Sequence, residues 1–394
     1  MRKNKNVSLI SLVIFIAIVA VSYFIISNSL KVKEEENKKK IVKIGVVMPQ
    51  TGFLASPGKN VIKGIKLYVD EFNNTHNDLN IELVIEDSKS DPKTGVTALN
   101  KLINIDKVKI VIGDLGSPIF LAMAPVAEKN KVILISPGAS NPKVREAGDY
   151  IFRIYTSDEF DGKVMANYLI KDKQVDKCAV LFFTNDYGVG LKDAFIKEFK
   201  NNNGKIQLSE SFSDKTLDFK NIIQKLKENN ISNIYFIGSP KQDAYFLKQV
   251  KEMGYNCNLF GNLGFEDKEF ISIAKGSFEK VIYSAPYFIA TDTTNIKVVK
   301  FVSNFQKKYN EMPDLTSALG YDVANILGYV LVKVGFDVNK VKDELYKVKN
   351  FNGVTGNTSF DKKGDVIKDI LIKKIDGSGN ISVIKVYNIN DGSK

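Results

Sequence analysis

A chain of 394 residues with 44% hydrophobic and 26% charged content is long enough for two globular domains and has the composition of neither a disordered nor a fibrous protein. The net charge of +11 is uneven: residues 1–40 hold eight Lys/Arg and three Glu, a share of +5, which leaves a mild +6 for the rest. That remainder interleaves acids with bases and has no aromatic-basic stripe, which excludes nucleic acid as a partner. One histidine (His76, in a polar run) and two distant cysteines (Cys178 and Cys257) exclude a multi-histidine metal site and any spaced zinc motif, and no cofactor is expected.

In chain order, Arg2, Lys3 and Lys5 precede an apolar run over residues 7–26, long enough to span a bilayer. It reads as an uncleaved anchor, with signal cleavage near Ser27-Asn-Ser29 as the alternative. No cysteine lies near its end, so lipid attachment of the lipoprotein type is excluded. Residues 31–40 read as a charged, solvated tether. From residue 41 strand and helix patterns alternate. Lys43 to Met48 is a buried strand, and Ile62, Ile65, Val69 and Phe72 recur at helical spacing. Ile81, Leu83 and Ile85 alternate as a strand, and Val96, Leu99 and Ile103 make the next helix face. Strand 108–112, helix 118–129 and strand 132–136 follow. This serial βαβ order implies a parallel sheet covered by helices on both faces.

The same grammar restarts near residue 177. Strands at 178–183, 206–212, 234–237, 259–261 and 281–285 alternate with helices at 188–202, 218–230 and 240–253. Long helical patterns at 295–309 and 314–335 come next. A hairpin-like pair, 370–375 and 381–386, closes the chain. The fold class is therefore α/β, with two doubly wound parallel-sheet domains whose ligand-facing loops lie at the strand C-termini.

Two loops carry the strongest site signal. Ile110 to Ser117-Pro118 and Ile133 to Ser140-Asn141-Pro142 each end a short buried run in small polar residues and restart at proline. Backbone N–H groups and hydroxyls gathered there suit an anion such as a carboxylate. A purely structural role for Ser117 and Ser140, as helix caps with Pro118 and Pro142 in the first turn, stays open at this point.

Across residues 41–394 the chain resembles the extracytoplasmic solute-binding proteins of the leucine/isoleucine/valine-binding type, with the periplasmic binding protein type I fold. The resemblance rests on Ile44-Gly-Val-Val-Met-Pro-Gln-Thr51-Gly52, on 64–73, on the two loops above, and on Arg153-Ile-Tyr-Thr-Ser-Asp158 with Gly162. Asn185-Asp-Tyr187-Gly188-Val-Gly190 and Phe360-Asp361-Lys-Lys-Gly364-Asp365 add to it. It implies three crossovers between the domains, near 155–160, 286–292 and 352–358. The corresponding division is 1–30 (anchor or signal), 31–40 (tether), 41–157 plus 289–355 (first lobe) and 158–288 plus 356–394 (second lobe). It also implies a carboxylate held by Ser117, Gly138, Ala139 and Ser140, with Tyr187 closing from the second lobe.

One departure stands out: Leu263 occupies the place of the acid that, in amino-acid binders of this type, holds the ammonium group. Asp158, Asp186, Asp243 and Glu266 are candidate substitutes; otherwise the ligand is an amide or organic acid without an ammonium. The expected function is a monomeric, extracytoplasmic, membrane-associated receptor for a small carboxylate solute, an amino acid of branched-chain type, that hands it unaltered to an ABC permease. An anchored ligand sensor of the same fold is the alternative. An enzyme is not expected, because no G-x-S-x-G elbow, Walker A sequence or clustered metal ligands occur.

Overall fold

Residues 40–153 alternate buried strands with amphipathic helices, and a parallel sheet is the consequence. A computed structural model describes residues 39–277 and 281–387, apart from the side chains of Leu263 and Lys268. The apolar run 7–26 lies outside the described residues. β1 (Lys40–Met48), α1 (Ala55–Thr75), β2 (Leu79–Asp87), α2 (Pro92–Asn104), β3 (Ile110–Gly113), α3 (Ser117–Lys129), β4 (Ile133–Ser136) and β5 (Ile151–Arg153) follow one another. The five strands form a parallel sheet in the order β2-β1-β3-β4-β5. Alternation along the strands divides its two faces. Val42, Ile44, Val46, Ile110, Ile112, Ile133 and Ile135 pack in one apolar layer with α1. Val47, Val111, Leu134 and Ile151 pack in the other with α2 and α3.

The second unit runs α4 (Asp158–Asn167), β6 (Lys177–Phe183), α5 (Asp186–Asn201), β7 (Lys205–Phe212), α6 (Lys220–Glu228), β8 (Asn233–Ile237), α7 (Pro240–Glu252), β9 (Asn258–Gly261), α8 (Lys268–Ile273) and β10 (Val281–Pro286). Then α9 (Ile296–Tyr309), α10 (Leu315–Val334) and α11 (Val338–Tyr346) precede the short strands β11 (Phe351–Gly353), β12 (Gly356–Phe360) and β13 (Val366–Ile367). The chain ends in the hairpin β14 (Ile370–Ile375) and β15 (Ile381–Tyr387). The second sheet has seven strands in the order β15-β14-β10-β9-β8-β6-β7. Its five strands from β6 to β10 are parallel, and the hairpin adds to one edge in antiparallel sense.

α10 is long and apolar enough to cross a membrane, yet most of it is buried, and it is a core helix packed on α1. Two glycines permit that approach. A Cβ on Gly64 would stand 1.9 Å from the Ser317 carbonyl oxygen, and one on Gly320 would stand 2.2 Å from that of Val61. Helix α10 is also well started: Asp314 accepts from the Ser317 amide at 2.8 Å, and the Ser317 hydroxyl accepts from the Asp314 amide at 2.9 Å. No disulfide joins Cys178, buried in β6, to Cys257.

Where the chain passes between sheets, buried charge fixes the geometry. Arg153, at the end of β5, is fully buried and grips Asp365 through Nε at 2.5 Å and Nη2 at 2.8 Å. Asp322 on α10 accepts from the amides of Val354 and Thr355, which fastens the segment leading into β12. The buried Lys368 donates to the Thr355 hydroxyl, and burial pushes its ammonium down to about 8.

Candidate functional site

The strand ends of the two sheets face one another across a cleft with about 970 Å³ of empty space, part of it open to solvent. Its walls are mostly apolar: Phe53, Leu54, Pro57, Val61, Leu115, Leu315 and Leu319 come from the first sheet's side, and Phe183 from the second's. Phe53 and Phe183 meet across it with ring centroids 5.9 Å apart.

The polar end is built from the two loops singled out in the sequence. Ser117, Gly138, Ser140 and Tyr187 line the cavity. Ala139 does not; it is fully buried in the layer behind β3 and β4. The loops are tied to each other rather than left open. Ser136 Oγ accepts from the amides of Gly138 (3.0 Å) and Ala139 (2.7 Å) and donates to the Asp114 carbonyl. Ser117 Oγ accepts from the amides of Ser140 (3.1 Å) and Asn141 (3.2 Å). The sequence expectation that these loop amides point at the ligand is therefore not what this structure shows.

What the loops present instead is hydroxyl. With two N–H groups on its oxygen, Ser117 keeps its proton to donate into the cleft. Gly116 stands at the cap position of α3 and brings no side-chain acceptor, so first-turn amides stay open beside Ser117. Ser117 is the first residue of α3 rather than its cap, and Asn141, not Ser140, caps the turn after β4. Arg153 braces the loop from behind, donating through Nη1 to the Asn141 carbonyl at 2.9 Å. The amide of Asp158 donates to the Ser140 carbonyl at 2.8 Å.

Asp158 sits directly behind that wall. It is buried, and neither carboxylate oxygen has a hydrogen-bond partner. The Ser140 hydroxyl lies close enough to favour the ionised form, but burial outweighs it and raises the carboxyl well above its usual range. Asp161 is beside it, lifted to about 6 by burial. The hydroxyls of Tyr155, Tyr187 and Tyr235 feel both acids; their own ionisation is pushed far up, again mainly by burial.

The other candidate acids differ. Asp186 is half exposed and faces Lys143 at 3.4 Å. Glu266 lines the cleft but is held at 2.6 Å by the buried Lys373. Asp243 is buried behind the cleft-lining Gly238 and Gly264, with both oxygens unpartnered and its carboxyl raised by desolvation and then by Asp267. Leu263 opens the turn Leu263–Glu266 after β9, and its side chain lies outside the description. Sequence reasoning missed Ser136, Phe53, Phe183 and Asp267 as cleft or loop-building residues. Only Ser136 carried a readable signal, a serine before proline at a strand end.

Residues 41–380 match the family model described as periplasmic binding protein. The chain belongs to the periplasmic binding protein family. Members are solute-binding receptors of ABC transporter type. A Pseudomonas aeruginosa leucine-, isoleucine-, valine-, threonine- and alanine-binding protein is 27% identical over 329 residues, 82% of this chain and 87% of that one. A Thermotoga maritima leucine-binding protein superposes with a TM-score of 0.84 at 30% identity, covering 89% of this chain and 99% of the other. The Streptococcus pneumoniae branched-chain amino acid transporter substrate-binding protein, solved with isoleucine, gives a TM-score of 0.81 at 29% identity, covering 88% and 100%.

Proposed function

We propose that this periplasmic binding protein is the extracytoplasmic receptor of an ABC uptake system for a small apolar amino acid of the branched-chain type. The observation that carries the reading is a cleft with mostly apolar walls whose polar loops place Ser140 and Tyr187 beside Asp158, with Ser117 lining the same cleft. An α-amino acid bears its carboxylate and ammonium on one carbon, so the acid that takes the ammonium must adjoin the hydroxyls that take the carboxylate. Of the four candidate acids, Asp158 meets that requirement. Asp186 is solvated, Glu266 is paired with Lys373, and Asp243 lies against Gly238 and Gly264. The ammonium pairs with Asp158, which offsets the cost of burying that carboxylate. The aliphatic side chain fills the space between Phe53, Leu115, Phe183 and Leu319. Ligand docks on the first lobe, the second folds over it, and the closed form delivers it to the permease unaltered. Residues 7–26 hold the receptor at the membrane.

The relatives named above as binders of leucine, isoleucine and valine support the same solute class. A thermal-shift panel on the full-length chain tests it. L-leucine, L-isoleucine or L-valine should raise the melting temperature in a dose-dependent way. No response to any of the three would sink the amino-acid reading.

A second reading is a receptor for a carboxylate without an ammonium, such as a simple aliphatic or aromatic acid. Leu263 in place of the expected acid favours it, as does the position of Asp158 behind the cavity wall rather than on it. A response to benzoate or isovalerate with none to amino acids would select this reading.

A further inference from the structure

We propose that Ser56 and Asp267 form a latch between the two lobes that holds the cleft shut over its solute. The inference rests on the receptor reading and assigns a positioning role that the ligand-contact residues do not cover. Ser56 is in the first turn of α1, on the first lobe, and Asp267 caps α8 on the second. The Ser56 hydroxyl lies 2.9 Å from each carboxylate oxygen of Asp267. Asp267 also accepts from the Glu269 amide at 2.7 Å, and its carboxylate is buried at the rim of the cleft. A hydroxyl donating to a buried carboxylate is among the stronger neutral-donor bonds.

The start of α1 is what needs this partner. Its cap position is Leu54, with no side-chain cap, and its first turn holds no acid. The Leu54 amide donates to Ser90 Oγ and the Ala55 amide to the Gly52 carbonyl, but both partners are neutral, so the electropositive end of this 21-residue helix has no acid of its own first turn against it. On closure the second lobe supplies the missing negative charge. Burial, and after it the neighbouring acids Asp314 and Glu269, raise the Asp267 carboxyl to about 6 against the hydrogen bonds from the Glu269 amide and Ser56. Asp243, facing Asp267 from α7, adds to that crowding. The Asp267 carboxylate thus serves two contacts at once, the cap of α8 and the bond to Ser56 across the cleft. At the opposite rim, Asn141 donates to the Asp186 carbonyl and Lys143 approaches Asp186, but that ion pair is solvent-exposed and weak.

Stopped-flow release of L-leucine, L-isoleucine or L-valine from the full-length chain tests the latch, with hydrogen exchange of α1's first turn as a second readout. S56A and D267N should each raise the dissociation rate about tenfold with little change in association rate, and the double variant should exceed neither single one. Asparagine caps α8 as well as aspartate does, so D267N takes the charge out of the lobe contact while keeping the helix cap, and S56A takes out the hydroxyl. Exchange at the start of α1 should quicken in both variants while α8 stays protected. Dissociation rates within twofold of wild type, or fully additive effects, would overturn the latch. Absence of binding to all three amino acids in the wild type would defeat the solute reading alone. The latch is then judged by release of benzoate or isovalerate, where dissociation rates within twofold of wild type in S56A and D267N would overturn it.

Discussion

Replacing Arg153 with methionine strikes the support of the ligand loop and the path between lobes at once. Its guanidinium binds both oxygens of Asp365 and the Asn141 carbonyl, all of them buried. Methionine keeps much of the side-chain volume but strands the Asp365 carboxylate. Breaking a buried pair by deleting one member costs about 3–5 kcal/mol. Arg145 remains, with Nη1 3.6 Å from the other Asp365 oxygen, and is half exposed. It can swing toward Asp365, which places the expected loss near the lower bound, about 3 kcal/mol. At about 2–4 °C per kcal/mol, the melting temperature should fall by roughly 6–12 °C. Calorimetry with and without ligand reads both stability and ligand response, and the response should shrink because the loop 139–141 loses its brace. The double variant R153M/D365L, which leaves no unpaired charge, should recover much of the stability but not the affinity. A loss under about 1 kcal/mol for R153M, or a double variant no better than the single, would refute this account of the buried pair.

Ser140→Ala should weaken carboxylate binding by about 1–3 kcal/mol, read by titration calorimetry, and unchanged affinity would remove that hydroxyl from the site. Burial raises the Asp158 carboxyl well above its usual range; pairing with an ammonium lowers it again, so amino-acid binding should release protons and tighten as pH rises. Equal binding heats in buffers of different ionisation enthalpy would contradict that coupling. The Asp114 carboxyl is lifted by burial from 3.8 to about 7. A raised acid favours the folded state when protonated, so its contribution is present below the unfolded value and is lost as pH rises toward 7. The melting temperature of D114N relative to wild type should therefore climb between pH 4 and pH 8; a flat difference would contradict it. Gly320→Ala should destabilise by about 2 kcal/mol or more, because the added Cβ meets the Val61 carbonyl; chemical denaturation measures it.

The α/β architecture was legible because its signals are local. Strand runs such as Ile110–Gly113 are apolar throughout, and helix faces such as Ile62, Ile65, Val69 and Phe72 keep their period. Helices 295–309 and 314–335 were read within a residue of Ile296–Tyr309 and Leu315–Val334. Helices α4 and α11, and the six-residue α8, were not read at all. The first opens on the polar run Asp158-Glu159 with weak amphipathic contrast, and the second is short. Of the residues expected in the site, Ser117, Gly138, Ser140 and Tyr187 line the cleft; loop chemistry and order along the chain mark them. Which amides stay open could not be read, because Ser136 Oγ turns back on two amides of its own loop while Ser117 Oγ takes those of Ser140 and Asn141, 23 and 24 residues away along the chain. The Ser56–Asp267 contact spans 211 residues, and no local pattern announces it.

Titration calorimetry of the full-length chain with L-leucine, L-isoleucine and L-valine bears most directly on the clamp. One molecule should bind per chain with a negative heat-capacity change, as apolar surface is buried between the lobes, and should be recovered chemically intact. Absence of heat for these amino acids and for simple carboxylates alike, or recovery of an altered compound, would contradict a receptor that closes over an apolar carboxylate.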